Sequence, residues 1–191
     1  MRVKPLQSVA MGLVIVALTA RLHGYDALPD PIGWLLVLSG VGTLTRDAEP
    51  AYPHRDALRT LAWLAAAVSV PLWFPAVTDG LYDADASLGW AANLPQVGFT
   101  AVLCHALTQR AAAAGDLRAA RWLSLARTVV IVVGLLPVLV FGAGLESWEV
   151  ASYVLASLSM LLLIWLLFSY APRPWAAVAG TDHPTHGPQA S

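Results

Sequence analysis

Asp83-Ala84-Asp85-Ala86-Ser87 places side-chain oxygens at alternate positions, the spacing that opens a calcium loop. The rest of such a loop does not follow. Gly89 falls one place late, and the twelfth position is Leu94 where a bidentate Glu is required. With Asp79 upstream, the segment reads as a solvated acidic loop, and a weak cation site at Asp79, Asp83 and Asp85 is the chemical alternative. His105 follows Cys104, but neighbours on a helix point about 100° apart and no third ligand joins them. A hydrogen-bonded or interfacial imidazole is therefore the simpler reading. Arg127 lies one turn inside an apolar stretch, where its long stem lets the guanidinium snorkel to a headgroup layer and meet anionic lipid. Asn93 and Gln96 flank Pro95 and stand one helical turn apart. They act either as hydrogen-bonding glue between helices or, with Pro71, Pro75 and Pro137 bending the neighbours, as the lining of an outward-facing cavity. In that second reading Asn93, Gln96, His105 and Arg127 are the candidate substrate-binding residues. His183 and His186 make at most a weak metal hook. No Ser-His-Asp set, phosphate-binding loop, His-Glu-x-x-His or dinucleotide fingerprint occurs at workable spacing. The sequence assigns no catalytic residue, metal or cofactor, and leans away from an enzyme.

The elements that must carry these residues are set by composition. Of 191 residues 58% are hydrophobic and 12% charged, about half the charge of an ordinary soluble chain. A core of this size cannot hide so much apolar surface, so lipid must cover it. A net charge of −1 argues against nucleic acid, and a lone Cys104 forms no disulfide within the chain. Six stretches are apolar for roughly the length a membrane helix needs: 6–22, 28–44, 58–77, 88–108, 123–141 and 150–170. The first lacks a good cleavage site and reads as an uncleaved helix. The second is the doubtful crossing, since Pro29 and Pro31 leave as few as 14 helical residues and a re-entrant segment is the alternative. The predicted fold is thus an all-α, six-helix membrane domain over residues 1–171, followed by a Pro- and Gly-containing disordered tail over 172–191.

Charge orients these spans. With the N-terminus inside, ten of the eleven Lys and Arg residues fall on the cytoplasmic side, Arg21 being the exception, against five of the twelve acids. Removing the second span destroys that asymmetry. Trp34, Trp73, Trp90 and Trp148 then fall near outer ends, and Trp63, Trp122 and Trp165 near inner ends, as the headgroup preference of indole requires. Both termini are expected in the cytoplasm.

Arg59-Thr60 reaching Pro71 is echoed by Arg127-Thr128 reaching Pro137, which suggests three helix hairpins in one orientation; chance likeness of apolar helices is the alternative. The run Leu28-Pro29-Asp30-Pro31-Ile32-Gly33 is similar to a Leu-Pro-Asp-x-Ile-Gly segment at the second span of small bacterial integral membrane proteins of unassigned activity. The resemblance covers roughly a tenth of the chain. It implies a multi-pass protein of the bacterial cytoplasmic membrane and brings no activity with it. The expected function is non-enzymatic action through contacts with membrane lipids or proteins, and a small permease or channel subunit is the alternative. Small residues at Gly33, Ser39, Gly40, Gly42 and Thr43, and at Ala151, Ser152, Ala156 and Ser159, would suit a homo-oligomer or packing within one chain.

Overall fold

The computed structural model describes residues 4–18, 21–22, 25–26, 30–46, 52–142 and 149–176. These form seven α-helices: α1 (Pro5–Ala17), α2 (Asp30–Arg46), α3 (Arg55–Leu72), α4 (Pro75–Ala84), α5 (Ala86–Ala113), α6 (Leu117–Gly142) and α7 (Glu149–Tyr170). A two-residue antiparallel pair, Arg21–Leu22 (β1) with Tyr25–Asp26 (β2), joins α1 to α2. Contacts run α1–α2–α3–α5–α6–α7 and back from α7 to α1, so six helices close a ring. Its centre is filled by side chains. Leu6, Leu13, Leu103, Leu107, Leu123, Leu163 and Leu167 are fully buried, and Trp34 of α2 meets Phe99 of α5 edge to face at 5.5 Å.

Among the described residues two helices are long and apolar enough to cross a membrane: Leu117–Val138, with mean hydropathy 1.7, and Val150–Tyr170, with 2.2. A third is reached if the bent pair Arg55–Leu72 and Pro75–Leu81 counts as one span. The expected six are not all matched, for reasons visible in the chain. Helix α1 has 13 residues, about 20 Å at 1.5 Å each, because the backbone turns extended at Leu18 and enters the β pair rather than continuing to residue 22. Helix α2 starts at Asp30, since Pro31 is tolerated in a first turn, and its 17 residues rise about 25 Å. Helix α5 is 28 residues long but carries Asn93, Gln96, Thr100, His105, Thr108 and Gln109.

The expected third span, 58–77, is broken. Helix α3 stops at Leu72, and α4 departs at 100°. Pro71 and Pro75 remove two amide donors, Pro75 opens α4 at its first turn, and the Thr78 hydroxyl donates to the Leu72 carbonyl at 2.7 Å to fix the corner. The acidic segment after it is therefore a helix and not a loop. At the other end, α5 runs past its span as far as Ala113. Gly115, at φ +79°, supplies the left-handed residue that turns the chain into α6.

Glycine sets the closest approach. A Cβ on Gly12 would lie 2.4 Å from the Gly33 carbonyl oxygen, one on Gly33 2.7 Å from that of Gly12, and one on Gly40 2.8 Å from that of Pro5. The small face of α2 is thus largely spent on α1, although Gly42 has nothing within 4 Å. Tryptophan departs from the two-belt expectation at two places. Trp34 is 1% exposed in the core, and Trp90 donates its indole N–H to the Gly134 carbonyl at 2.8 Å. Trp63, Trp73, Trp122 and Trp165 are exposed; Trp148 lies outside the described residues.

The start of the segment expected to be a disordered tail is folded. Pro174–Ala176 form a 3-10 turn, and Trp175 and Ala176 are buried. Arg110 Nε donates to the Trp175 carbonyl at 2.9 Å, while the indole N–H of Trp175 faces Asp116 Oδ2 at 3.3 Å. The five residues after Ala171 are tied down because the Trp175 side chain finds an apolar slot and a partner in Asp116, while its backbone carbonyl accepts from Arg110. Residues 177–191, with His183 and His186, lie outside the described residues.

Candidate functional site

Helices α5 and α6 are antiparallel across the turn at Gly115, which brings His105 level with Arg127. Arg127 Nη1 donates to His105 Nδ1 at 2.7 Å. Because arginine only donates, Nδ1 is the acceptor and the imidazole carries its proton on Nε2. Gln109 Nε2 lies 3.2 Å from His105 Nε2, and turning the amide about its axis puts its oxygen there to accept that proton. From the start of α3, His54 brings its ring to 4.9 Å from that of His105. His54 holds φ 56° and ψ 30°, a left-handed conformation that costs a non-glycine residue about 1 kcal/mol or more.

This polar group sits at the end of a groove of about 330 Å³ lined by Ala101, Val102, His105, Arg127, Thr128, Ile131 and Val132. Apart from Arg127, His105 and the Thr128 hydroxyl, the lining is hydrocarbon. The groove opens sideways, past Ile131 and Val132 at 41% and 54% exposure. Arg127 has no carboxylate partner here: the ion pairs among the described residues are Arg55–Asp56 and Arg173–Asp116.

Of the four residues expected to share a cavity, the structure brings together His105 and Arg127 and leaves out Asn93 and Gln96. Nine residues separate Gln96 from His105, about 13 Å along α5. The Asn93 amide donates one N–H to the Gly89 carbonyl of its own helix at 2.9 Å, and Asn93 does not line this groove. Gln96 gives its backbone carbonyl to the Thr100 hydroxyl at 3.0 Å. Hydroxyls follow the same rule. Thr45, Ser69, Thr108, Ser157 and Ser159 each donate to a carbonyl three or four residues back.

Asp79, Asp83 and Asp85 are not gathered into one set of metal ligands. Among the described residues no group of three or more His, Cys, Asp or Glu could hold a metal ion. Asp85 instead caps α5, accepting from the Ser87 backbone N–H at 2.8 Å, and that bond holds its carboxyl below the usual range.

The arrangement that sequence reasoning missed lies at the basic end, around Tyr52. The Arg110 guanidinium stacks over its ring at 4.9 Å, and its hydroxyl is buried without a hydrogen-bond partner among the described residues. Burial pushes the Tyr52 hydroxyl well above its ordinary value. Asp116 caps α6 through the Ala119 N–H at 3.1 Å, which with the Trp175 indole, Arg173 and Arg118 holds its carboxyl low. Neither Tyr52 nor Trp175 is marked by a motif; only their aromatic type in polar, Pro-containing segments set them apart. No protein-family model, no curated protein and no solved structure matches the chain, so the site stands on its own geometry.

Proposed function

We propose that the chain is a multi-pass membrane protein, threaded six times with both termini cytoplasmic, that acts through contacts with lipid and not through chemistry. The observation that carries this reading is where Arg127 points. Arg127 opens onto a hydrocarbon groove on the outer wall of the ring, while the ring's interior is closed by leucine, alanine, Trp34 and Phe99. Helix α7 supports it: mean hydropathy is 2.2, yet only 22% of that window is buried, so lipid is the natural cover. In this threading α4 lies along the outer surface, with Val77 exposed beside Asp79 and Asp83, as an interfacial helix would. The resemblance at 28–33 favours a bacterial cytoplasmic membrane. A protein partner or second copy would use α7, where Ala156 and Leu158 are exposed, more readily than the face of α2 already taken by α1.

Against the permease alternative stands the bond from one Asn93 N–H to the Gly89 carbonyl of its own helix. Proteoliposomes test the choice. The lipid-contact reading expects small polyols and ions to enter no faster than in protein-free vesicles. A flux abolished by Asn93→Leu or Gln96→Leu would replace it with a permease. For the threading, a cysteine at Asp83 should react with an impermeant maleimide from outside only; labelling from the cytoplasmic side alone would overturn it.

A further inference from the structure

We propose that the groove between α5 and α6 seats one anionic phospholipid of the inner leaflet, its phosphate on the Arg127 guanidinium and one acyl chain along Ala101, Ile131 and Val132. This rests on the lipid-contact reading and names its ligand. Three observations converge on it. First, polarity is ordered along the groove. The cation sits at the end facing the basic loops, and hydrocarbon continues from Thr128 to Val132, about 6 Å of helix further in. A headgroup at the interface with a chain directed to the midplane has that same order. Second, charge is unbalanced. Arg127 carries five N–H donors, one of which goes to neutral His105, and neither ion pair among the described residues includes it. A phosphate diester supplies both the missing charge and the missing acceptors. Third, the guanidinium is positioned. His105 accepts at 2.7 Å, and Gln109 and His54 hold His105 from its other sides. A snorkelling arginine that only needed water would gain nothing from that scaffold. His105 is a positioning residue here; Arg127 makes the contact.

Native mass spectrometry of the full chain in neutral detergent tests this, using phosphatidylglycerol and phosphatidylcholine with identical acyl chains. Wild type should retain the anionic lipid about fivefold over the zwitterionic one, the preference expected from a single interfacial Arg. Arg127→Gln should bring that ratio near one, Arg127→Lys should restore part of it, and Val132→Trp, which fills the groove, should lower both adducts. A wild-type ratio near one, or a ratio that Arg127→Gln leaves unchanged, overturns the proposal. So does displacement of phosphatidylglycerol by millimolar inorganic phosphate, which would make the site one for a free anion. Equal retention of both lipids, lost together in Val132→Trp, removes the headgroup assignment and leaves lipid contact standing. Retention of neither lipid removes both. Should Arg127→Gln fail to fold, the wild-type ratio and Val132→Trp decide.

Discussion

The basic and acidic ends of the helix ring are built differently, although the same helices supply both. Toward the basic end Leu6, Leu44, Leu58, Leu107, Leu123 and Leu167 are buried against small alanines, and Trp175 plugs the floor. Toward the acidic end Leu88, Leu94, Leu135, Val138, Val150 and Leu158 are all at least 39% exposed. Hydropathy does not separate the two; partners do. The lesson is that the protein folds around one half of its thickness and leaves the other half to be finished by its surroundings. Packing holds past the level of Arg127 and His105, as far as Trp34 and Phe99.

The largest break should come where backbones touch. Gly33→Leu forces a side chain against the Gly12 carbonyl oxygen, with no flexible neighbour to yield, and should cost at least about 3 kcal/mol. Gly42→Leu on the same helix meets nothing within 4 Å and should change stability by less than about 0.5 kcal/mol. Thermal unfolding in mild detergent reads both, and equal losses would refute the α1–α2 contact. Next comes the contrast of ends. Leu103→Ala removes a fully buried side chain and should cost about 2–3 kcal/mol, whereas Leu158→Ala, at 56% exposure, should cost under about 1 kcal/mol.

Smaller and opposite in sign is Tyr52→Phe. It deletes a buried hydroxyl without a partner among the described residues and keeps the ring beneath Arg110, so stability should rise by about 1 kcal/mol. A loss of that size would mean the hydroxyl is bonded. The smallest effect concerns the Trp175 contact and pH. Asp116 is held below the usual carboxylate range, chiefly by the Ala119 N–H. Its contribution is therefore complete above the unfolded value of about 4 and is lost as pH falls through the lowered folded value. The ¹⁹F resonance of a fluorotryptophan at Trp175 should be constant from pH 5 to 8 and shift only in stronger acid. Asp116→Asn should remove the acid-dependent shift.

Much of this was legible from the chain. Helix identity followed from apolar runs, the α5–α6 turn from Gly115, and the depth of His105 and Arg127 from their distance to that turn. Their contact was not legible, because 22 residues separate them and facing requires the rotation of both helices to be known. Pro71 and Pro75 suggest a bend after Leu72, but its 100° angle and the Thr78–Leu72 bond at the corner are visible only in the fold. Trp34 misled because indole at a helix end resembles an interfacial anchor until Phe99 is placed beside it. An amide in an apolar helix suggests a partner elsewhere, whereas one Asn93 N–H bonds the Gly89 carbonyl of its own backbone.

The most direct measurement is the accessibility of a spin label at Val132, introduced as Val132→Cys in a Cys104→Ala background and read in lipid nanodiscs. Lipid contact predicts a label relaxed strongly by dissolved oxygen and hardly at all by a water-soluble nickel chelate, as on a surface facing acyl chains. Strong relaxation by the nickel chelate would show that the groove is filled with water, and would contradict the account.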